Sequence, residues 1–257
     1  MYRYIDNVVS YALADSPEMF MKAGYAFGQF QQRMAGYDAS MLNETIPDFH
    51  NTKRLYERFC EVVDGCGNER RSIASDEIKF VRDRGDQCSF IVDKLGTGEI
   101  PLRVTHNDTK LNNILMDAAT GDSVCIIDLD TVMPGSALYD FGDAIRFGAS
   151  TAAEDERELE RVRLDLNLYR VFTRGFAEAC PSLTRAERDV LPLGAFVMTL
   201  ECGLRFLADY INGDKYFSID RESHNLDRAR TQIKLVSEME SHWDELLRIN
   251  REEAELE

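Results

Sequence analysis

The residues best suited to chemistry lie between positions 106 and 130. The segment His106-Asn107-Asp108-Thr109-Lys110-Leu111-Asn112-Asn113 is followed, fifteen residues after Asn113, by the Asp128 of Ile126-Ile127-Asp128-Leu129-Asp130. Leu102 to Thr105 reads as a short strand ending at His106, Asn113 to Met116 as a second, and Val124 to Ile127 as a third, with a Thr-Gly-Asp turn before the last. One loop then carries Asp108 and Asn113, and the returning hairpin delivers Asp128 to the same edge. A carboxylate that orients a hydroxyl and takes its proton, beside an amide oxygen and a second carboxylate that hold a hard divalent cation, is the inventory of phosphoryl transfer. Mg²⁺ keeps waters and phosphate oxygens in its shell, so one amide and one carboxylate suffice from the protein. Asp108 is therefore the catalytic candidate, and Asn113 and Asp128 are the metal candidates. Taken alone, Asp108 would be a turn residue. The combined spacing, H-x-D-x-x-x-x-N and then a strand ending in Asp, carries the functional reading. His106 reads as a packing and hydrogen-bonding residue of the loop. Lys110 either touches a phosphate or balances Asp108 and Asp128.

Around this segment the chain is helical. Ser16-Pro17-Glu18 supplies a cap, a proline for the first turn and an acid, and Phe20, Ala23, Phe27, Phe30 and Met34 follow at helical spacing, predicting a helix over 16–36. Asn51 or Thr52 starts a second helix, and Ser75 a third that runs to Gly96-Thr97-Gly98. After Pro134-Gly135, long helices are expected over 154–179, 185–211 and 224–249. The first is charge-rich and solvated; Leu193 to Leu207 is nearly all apolar and should be the buried central helix. The fold class is mainly α with a small β-hairpin insertion that holds the active loop.

The 257 residues contain 30 Lys and Arg against 46 Asp and Glu, a net charge of −16. So acidic a chain argues against nucleic-acid and anionic-membrane partners. By sequence no apolar run is long enough to span a bilayer, and the N-terminus lacks a signal-peptide layout. The six cysteines form no CxxC pair or metal-ligand spacing, which points to buried, reduced thiols in a cytoplasmic protein. Four scattered histidines make no metal cluster.

The 106–130 segment resembles the catalytic and metal-binding loops of the aminoglycoside phosphotransferase and choline kinase superfamily, relatives of the protein kinases. Asp128-Leu129-Asp130 stands where protein kinases have Asp-Phe-Gly, which favours the small-molecule branch. Tyr139-Asp140-Phe141-Gly142-Asp143-Ala144-Ile145-Arg146 resembles that branch's segment after the metal loop, and by this resemblance Asp140 would brace the loop and cap a helix, with His106 and Asp130 as further supporting residues. Tyr139 to Gly148, Glu201 to Phe206 and Gly213 to Phe217 look like the N-acetylhexosamine 1-kinase subgroup. The resemblance implies an ATP- and Mg²⁺-dependent phosphotransferase whose acceptor is the anomeric hydroxyl of an N-acetylhexosamine, a small-molecule sugar, with Arg205 and Tyr216 lining the acceptor pocket. For Arg205 a buried ion pair to Glu201, one helical turn earlier, competes with that role. Rival readings are a kinase for an aminoglycoside, choline or homoserine, a lobe that binds without turnover, and, more weakly, a metal-dependent phosphohydrolase.

Kinases of this type place a β-rich lobe before the catalytic lobe, and no counterpart is evident in this sequence. Residues 1–10 resemble the inter-lobe hinge, with Arg3, Tyr4 and Ile5 meeting the adenine. Residues 11–257 then form a kinase-like catalytic lobe, with catalytic and metal loops over 102–148 and a helical substrate-side subdomain over 150–250. The expectation for residues 1–10 is self-association, docking of a missing lobe, or disorder.

Overall fold

The structure is a computed structural model that describes residues 4–67 and 69–254. Val8 and Val9 form β1. Ser16 caps α1 (Pro17–Met34), its Oγ accepting the Met19 amide hydrogen at 3.2 Å. Asn51 caps α2 (Thr52–Gly65) in the same way through the amide of Arg54. A short α3 (Glu69–Ile73) follows. The single helix expected from Ser75 is three pieces: α4 (Ser75–Arg82), a 3₁₀ turn at Gly85–Ser89, and α5 (Phe90–Thr97). The break falls where the backbone presses on a ring. A Cβ at Gly85 would lie 2.4 Å from the Tyr56 hydroxyl, and Arg84 is drawn away to Glu240 at 2.7 Å.

Five short strands make two sheets among the described residues. β2 (Arg103–Thr105) pairs antiparallel with β5 (Met133–Gly135), while β3 (Ile114–Asp117) and β4 (Ser123–Ile126) form the expected hairpin, with β1 added to its free edge. The register sets Ile114 against Ile126 and Val8 against Asp117. The Ala118 amide also donates to Asn7 O at 2.9 Å, and Ser10 Oγ to Asn112 O at 2.8 Å. Residues 7–10 are therefore stitched to the hairpin rather than disordered.

The rest is helical. Ser136 caps α6 (Ala137–Gly148), a helix with ten buried residues that include Asp140, Asp143 and Arg146. The long helix expected over 154–179 is helical only as α7 (Leu166–Ala179). Its charged first half is an irregular loop. Glu154 pairs with Arg146 at 2.8 Å, Asp155 pairs with Arg221 at 2.9 Å, and Thr151 Oγ1 donates to Arg161 O at 2.7 Å. These long-range partners win over the i,i+4 pairs a helix would offer. The expected 185–211 helix is split into α8 (Arg185–Asp189), closed by a Thr184–Glu187 capping box, and α9 (Leu191–Ile211), because Pro192 has no amide hydrogen to continue the first. The 224–249 helix divides into α10 (His224–Ser241) and α11 (Trp243–Ala254), and the turn between them sets Trp243 edge-on to Phe196 at 6.1 Å.

α9 is the central helix, packed against α2, α6 and α10. Contrary to the sequence expectation, its 21 residues are long and apolar enough to cross a membrane, yet most of the helix is buried inside the fold. The six cysteines are free thiols, with Cys88 and Cys180 buried and the others, Cys125 and Cys202 among them, only half-buried.

Two glycines bring α6 and α9 together. A Cβ at Gly142 would meet Gly194 O at 2.4 Å and Met198 Cγ at 2.6 Å. Because Gly142 lies between Asp140 and Asp143, this contact sets the position of both carboxylates. Gly142→Ala should therefore destabilise the protein by roughly 1–3 kcal/mol through overpacking. The midpoint of urea unfolding measures it, and an unchanged midpoint would show that the helices part freely.

Candidate active site

Asp140, in the first turn of α6, is fully buried and gathers three donors. Its Oδ2 accepts from the His106 amide at 3.0 Å and from Gln31 Nε2 at 2.6 Å, and its Oδ1 accepts from the Asn107 amide at 2.8 Å. Asp140 thus braces the loop. The capping part of the expectation is corrected, since the α6 cap is Ser136, whose hydroxyl accepts from Leu138 N. Burial pushes the Asp140 carboxyl up, against the hydrogen bonds from the two loop amides and Gln31. One turn on, Asp143 Oδ2 accepts from the Thr109 amide at 3.0 Å, while its Oδ1 is held by Arg146 at 2.8 Å. Burial works against the Asp143 carboxylate, but Arg146, with help from Lys110 and His50, outweighs it and keeps the group below the usual carboxylate range. Its contribution to stability is therefore present above that range and is lost as pH falls through the lower native value.

Between these anchors Asn107 adopts a left-handed backbone, φ 66°, stabilised by its side chain donating to Thr131 O at 2.8 Å. His106 is buried edge-on to Phe27 and Phe30, with ring centroids 5.8 Å away in each case. Its Nδ1 accepts the Asp108 amide hydrogen at 3.3 Å, so Nε2 carries the proton and donates to Ile127 O at 2.9 Å. His106 is thereby a tie between the loop and the end of the hairpin.

Asp108 and Asn113 are in direct contact. Asn113 Nδ2 donates to Asp108 O at 2.8 Å and to Asp108 Oδ2 at 3.0 Å, and Lys110 Nζ lies 2.9 Å from Asp108 Oδ1. Asn113 O in turn accepts from Ile127 N at 2.9 Å, which brings Asp128, the next residue, to the same edge. Asp128 has φ 59° at the head of a 3₁₀ turn, and its carboxylate is exposed and makes no hydrogen bond or ion pair with the described residues. Asp130 is exposed two residues on. Asn113 spends its side-chain amide hydrogens on Asp108 and leaves its side-chain Oδ1 without a partner among the described residues. Two uncommitted hard oxygens suit a small divalent cation. Among the described residues no group of three His, Cys, Asp or Glu could hold a metal by itself.

Asp128 and Asp130 border a cavity of about 900 Å³ whose other walls are Tyr4, Ile5, Val8, Leu115, Cys125, Ile126, Ile127 and Leu129. Tyr4 and Ile5 thus share this cavity with Asp128 and Asp130; Arg3 lies outside the described residues. A second pocket, about 330 Å³, opens between α2 and α9 and is lined by Asp48, Phe49, Arg58, Arg205, Asp209, Tyr216 and Phe217, among others. Arg205 reaches this pocket, between Phe49 and Phe217 at 5.5 and 5.7 Å, while remaining 3.7 Å from Glu201. Tyr216 is 73% exposed at the rim. Its loop is fixed by Asp209, which accepts from the amides of Lys215 and Tyr216 at 2.9 Å and of Phe217 at 3.0 Å.

The sequence model of the phosphotransferase enzyme family matches residues 22–175. The chain belongs to that family. Among solved structures, the fold is similar to an ethanolamine kinase from Plasmodium vivax, at 15% identity and a TM-score of 0.56, with 88% of this chain and 62% of that one covered. It is also similar to a choline/ethanolamine kinase family protein from Mesorhizobium loti (19% identity, TM-score 0.52, 97% and 73% covered) and to a choline kinase from Cryptosporidium parvum (14%, 0.52, 95% and 71%). This chain spans less than two thirds of the length of the Plasmodium protein. At these identities the likeness is one of fold: a mainly helical, kinase-like architecture.

Sequence reasoning missed two elements of the site. Asp143 stood inside the quoted motif with no role given to it, although its spacing of three from Asp140 puts both on one helix face. His50 has no local signal beyond its place before the Asn51 cap.

If Asp140 organises the loop, Asp140→Asn replaces one of its two accepting oxygens with an NH2 group that faces at least one of the three donors. It should cost about 1–3 kcal/mol of stability at neutral pH. Chemical denaturation tests this, and a variant as stable as the parent would mean that the loop holds itself.

Proposed function

We propose that this protein transfers the γ-phosphoryl group of ATP to the anomeric hydroxyl of an N-acetylhexosamine, with Asp108 as base. The observation that supports phosphoryl transfer is the paired Asp108 and Asn113, with Asp128 brought beside them through the Ile127–Asn113 hydrogen bond. Asn113 Oδ1 and the Asp128 carboxylate would hold Mg²⁺. When bound, that ion neutralises charge on the phosphates. The walls formed by Tyr4, Ile5 and Ile127 suit the flat, apolar face of adenine. Asp108 orients the acceptor hydroxyl and takes its proton as the bond to phosphorus forms. Its carboxylate already has one hydrogen bond from Asn113 and one ion pair from Lys110, so the oxygen positions are fixed before substrate arrives.

The pocket between α2 and α9 is of monosaccharide size. Asp48 is engaged by Arg58 at 2.5 Å and Asp209 by backbone amides and Asn225, whereas Arg205 has only a 3.7 Å partner. Arg205 can donate to the neutral hydroxyl and amide oxygens of an acceptor, and its charge weighs against a cationic head placed directly beside it.

ADP release measured with Mg-ATP and a panel of N-acetylhexosamine, choline, ethanolamine and homoserine separates the substrates. Faster turnover of a cationic alcohol than of the sugar would overturn the acceptor assignment. Asp108→Asn should lower turnover by roughly two to four orders of magnitude. Asp128→Ala should remove the response to Mg²⁺ together with the activity, and a near-parental rate in either variant would refute the assigned roles. Arg205→Ala should raise the KM for sugar by about tenfold while sparing that for ATP, as expected for one charged hydrogen bond. An unchanged sugar KM would leave Arg205 only its ion pair with Glu201.

A further inference from the structure

The peptide unit that joins Asn107 to Asp108 is held at both ends by histidines. His106 Nδ1 accepts its N–H at 3.3 Å, and His50 Nε2 lies 3.1 Å from its carbonyl oxygen. The two rings play opposite parts. His106 meets one donor and one acceptor and is satisfied as a neutral imidazole. His50 meets two acceptors, because its Nδ1 is 2.8 Å from Glu201 Oε1. A neutral ring has a single N–H, so both contacts are made only when both nitrogens are protonated. The surroundings keep Glu201 a partner in this form: Thr52 Oγ1 donates to its Oε2 at 2.7 Å, and Arg205 lies 3.7 Å from its Oε1.

We propose that His50 is a positioning residue of this active site, a buried imidazolium that, braced by Glu201, fixes the carbonyl of Asn107 and so aims the Asp108 carboxylate. The proposal rests on the assignment of Asp108 as base. Asn107 sits at φ 66°, a conformation costly for a non-glycine residue, and it is over-determined here: its N–H is on Asp140, its side chain on Thr131, its carbonyl on His50. Without the last contact the 107–108 peptide is free to rotate about one end. The same chain of contacts runs from Asn107 through His50 and Glu201 to Arg205, and so joins the base loop to the acceptor pocket.

The charged and titratable groups facing His50 are few. Glu201 and Arg205 approach from α9, Asp143 and the Tyr139 ring from α6, and Cys88 faces Glu201 from the 3₁₀ turn. Burial alone would lower the pKa of His50, but Glu201, the Asn107 carbonyl and Asp143 outweigh it and hold it above the ordinary histidine value. The clamp is therefore fully made at low pH and is released as pH rises through that raised value.

The test combines nitrogen NMR of the histidine rings with kinetics. In the parent protein at neutral pH, His50 should show both ring nitrogens protonated and His106 only one. In Glu201→Gln, nearly isosteric, His50 should lose its second proton at a lower pH, and the fall of kcat at high pH should move down with it. His50→Gln should lower kcat roughly ten- to a hundredfold with the KM for ATP changed little, the signature of misplaced groups rather than lost binding. A neutral His50 ring in the parent protein, or a parental kcat in a folded His50→Gln, overturns the proposal. Absence of turnover in the parent protein would count against phosphoryl transfer alone, since the ring-nitrogen signals decide the clamp in either case.

Discussion

A buried carboxylate that accepts two consecutive backbone amides is the constraint on which the rest of the site depends. Asp140 binds the N–H groups of His106 and Asn107, and this forces the chain leaving β2 into a tight turn with Asn107 left-handed. The turn sends Asp108 outward, back over Asn113, instead of letting the strand continue. Everything downstream takes its position from there: Asn113 bonds Asp108, Ile127 bonds Asn113, and Asp128 follows Ile127. The desolvation of an isolated carboxylate would be severe. Three donors make it tolerable, and each is itself part of the site's frame.

The molecule uses this device twice. Asp209, near the end of α9, accepts from three consecutive amides, those of Lys215, Tyr216 and Phe217, and thereby shapes the rim of the α2–α9 pocket. In both places a rigid helix supplies the acceptor and an irregular segment supplies the donors. The irregular segment gains a defined path without a regular element of its own, which is how a loop becomes precise enough to carry chemistry. Both loops sit on packed helices: α6 carries Asp140, α9 carries Asp209, and Gly142 meets Gly194 where the two helices approach.

Much of this was legible in the sequence. The spacing of Asp108, Asn113 and Asp128, the hairpin between the last two, the Ser16 and Asn51 caps and the buried character of Leu193 to Leu207 follow from local pattern. What was not legible depended on distant partners. β1 and β5 are two and three residues long, and Pro134 within β5 is a poor strand signal, so pairing alone makes them strands. The charge-rich stretch from Glu154 has the pattern of an exposed helix, and only the positions of Arg146 and Arg221 turn it into a loop. His50 is separated from Glu201 by 151 residues, and no periodicity could join them. Arg205 illustrates a different limit: bordering a pocket and approaching Glu201 do not exclude each other, and its side chain does both.

The i,i+3 spacing of Asp140, Asp143 and Arg146 explains how a helix of twelve residues can hold so much buried charge. One face presents two carboxylates to the loop amides of His106, Asn107 and Thr109, and the arginine on the next turn offsets the second carboxylate while reaching Glu154 on the irregular loop. The opposite demand, close packing on α9, is met by Gly142, which lies between the two acids in sequence and carries no side chain. Opening the loop would strip Asp140 of two of its three donors and Asp143 of its loop amide, and shifting the helix would drive backbone into backbone. Loop and helix therefore hold each other in place.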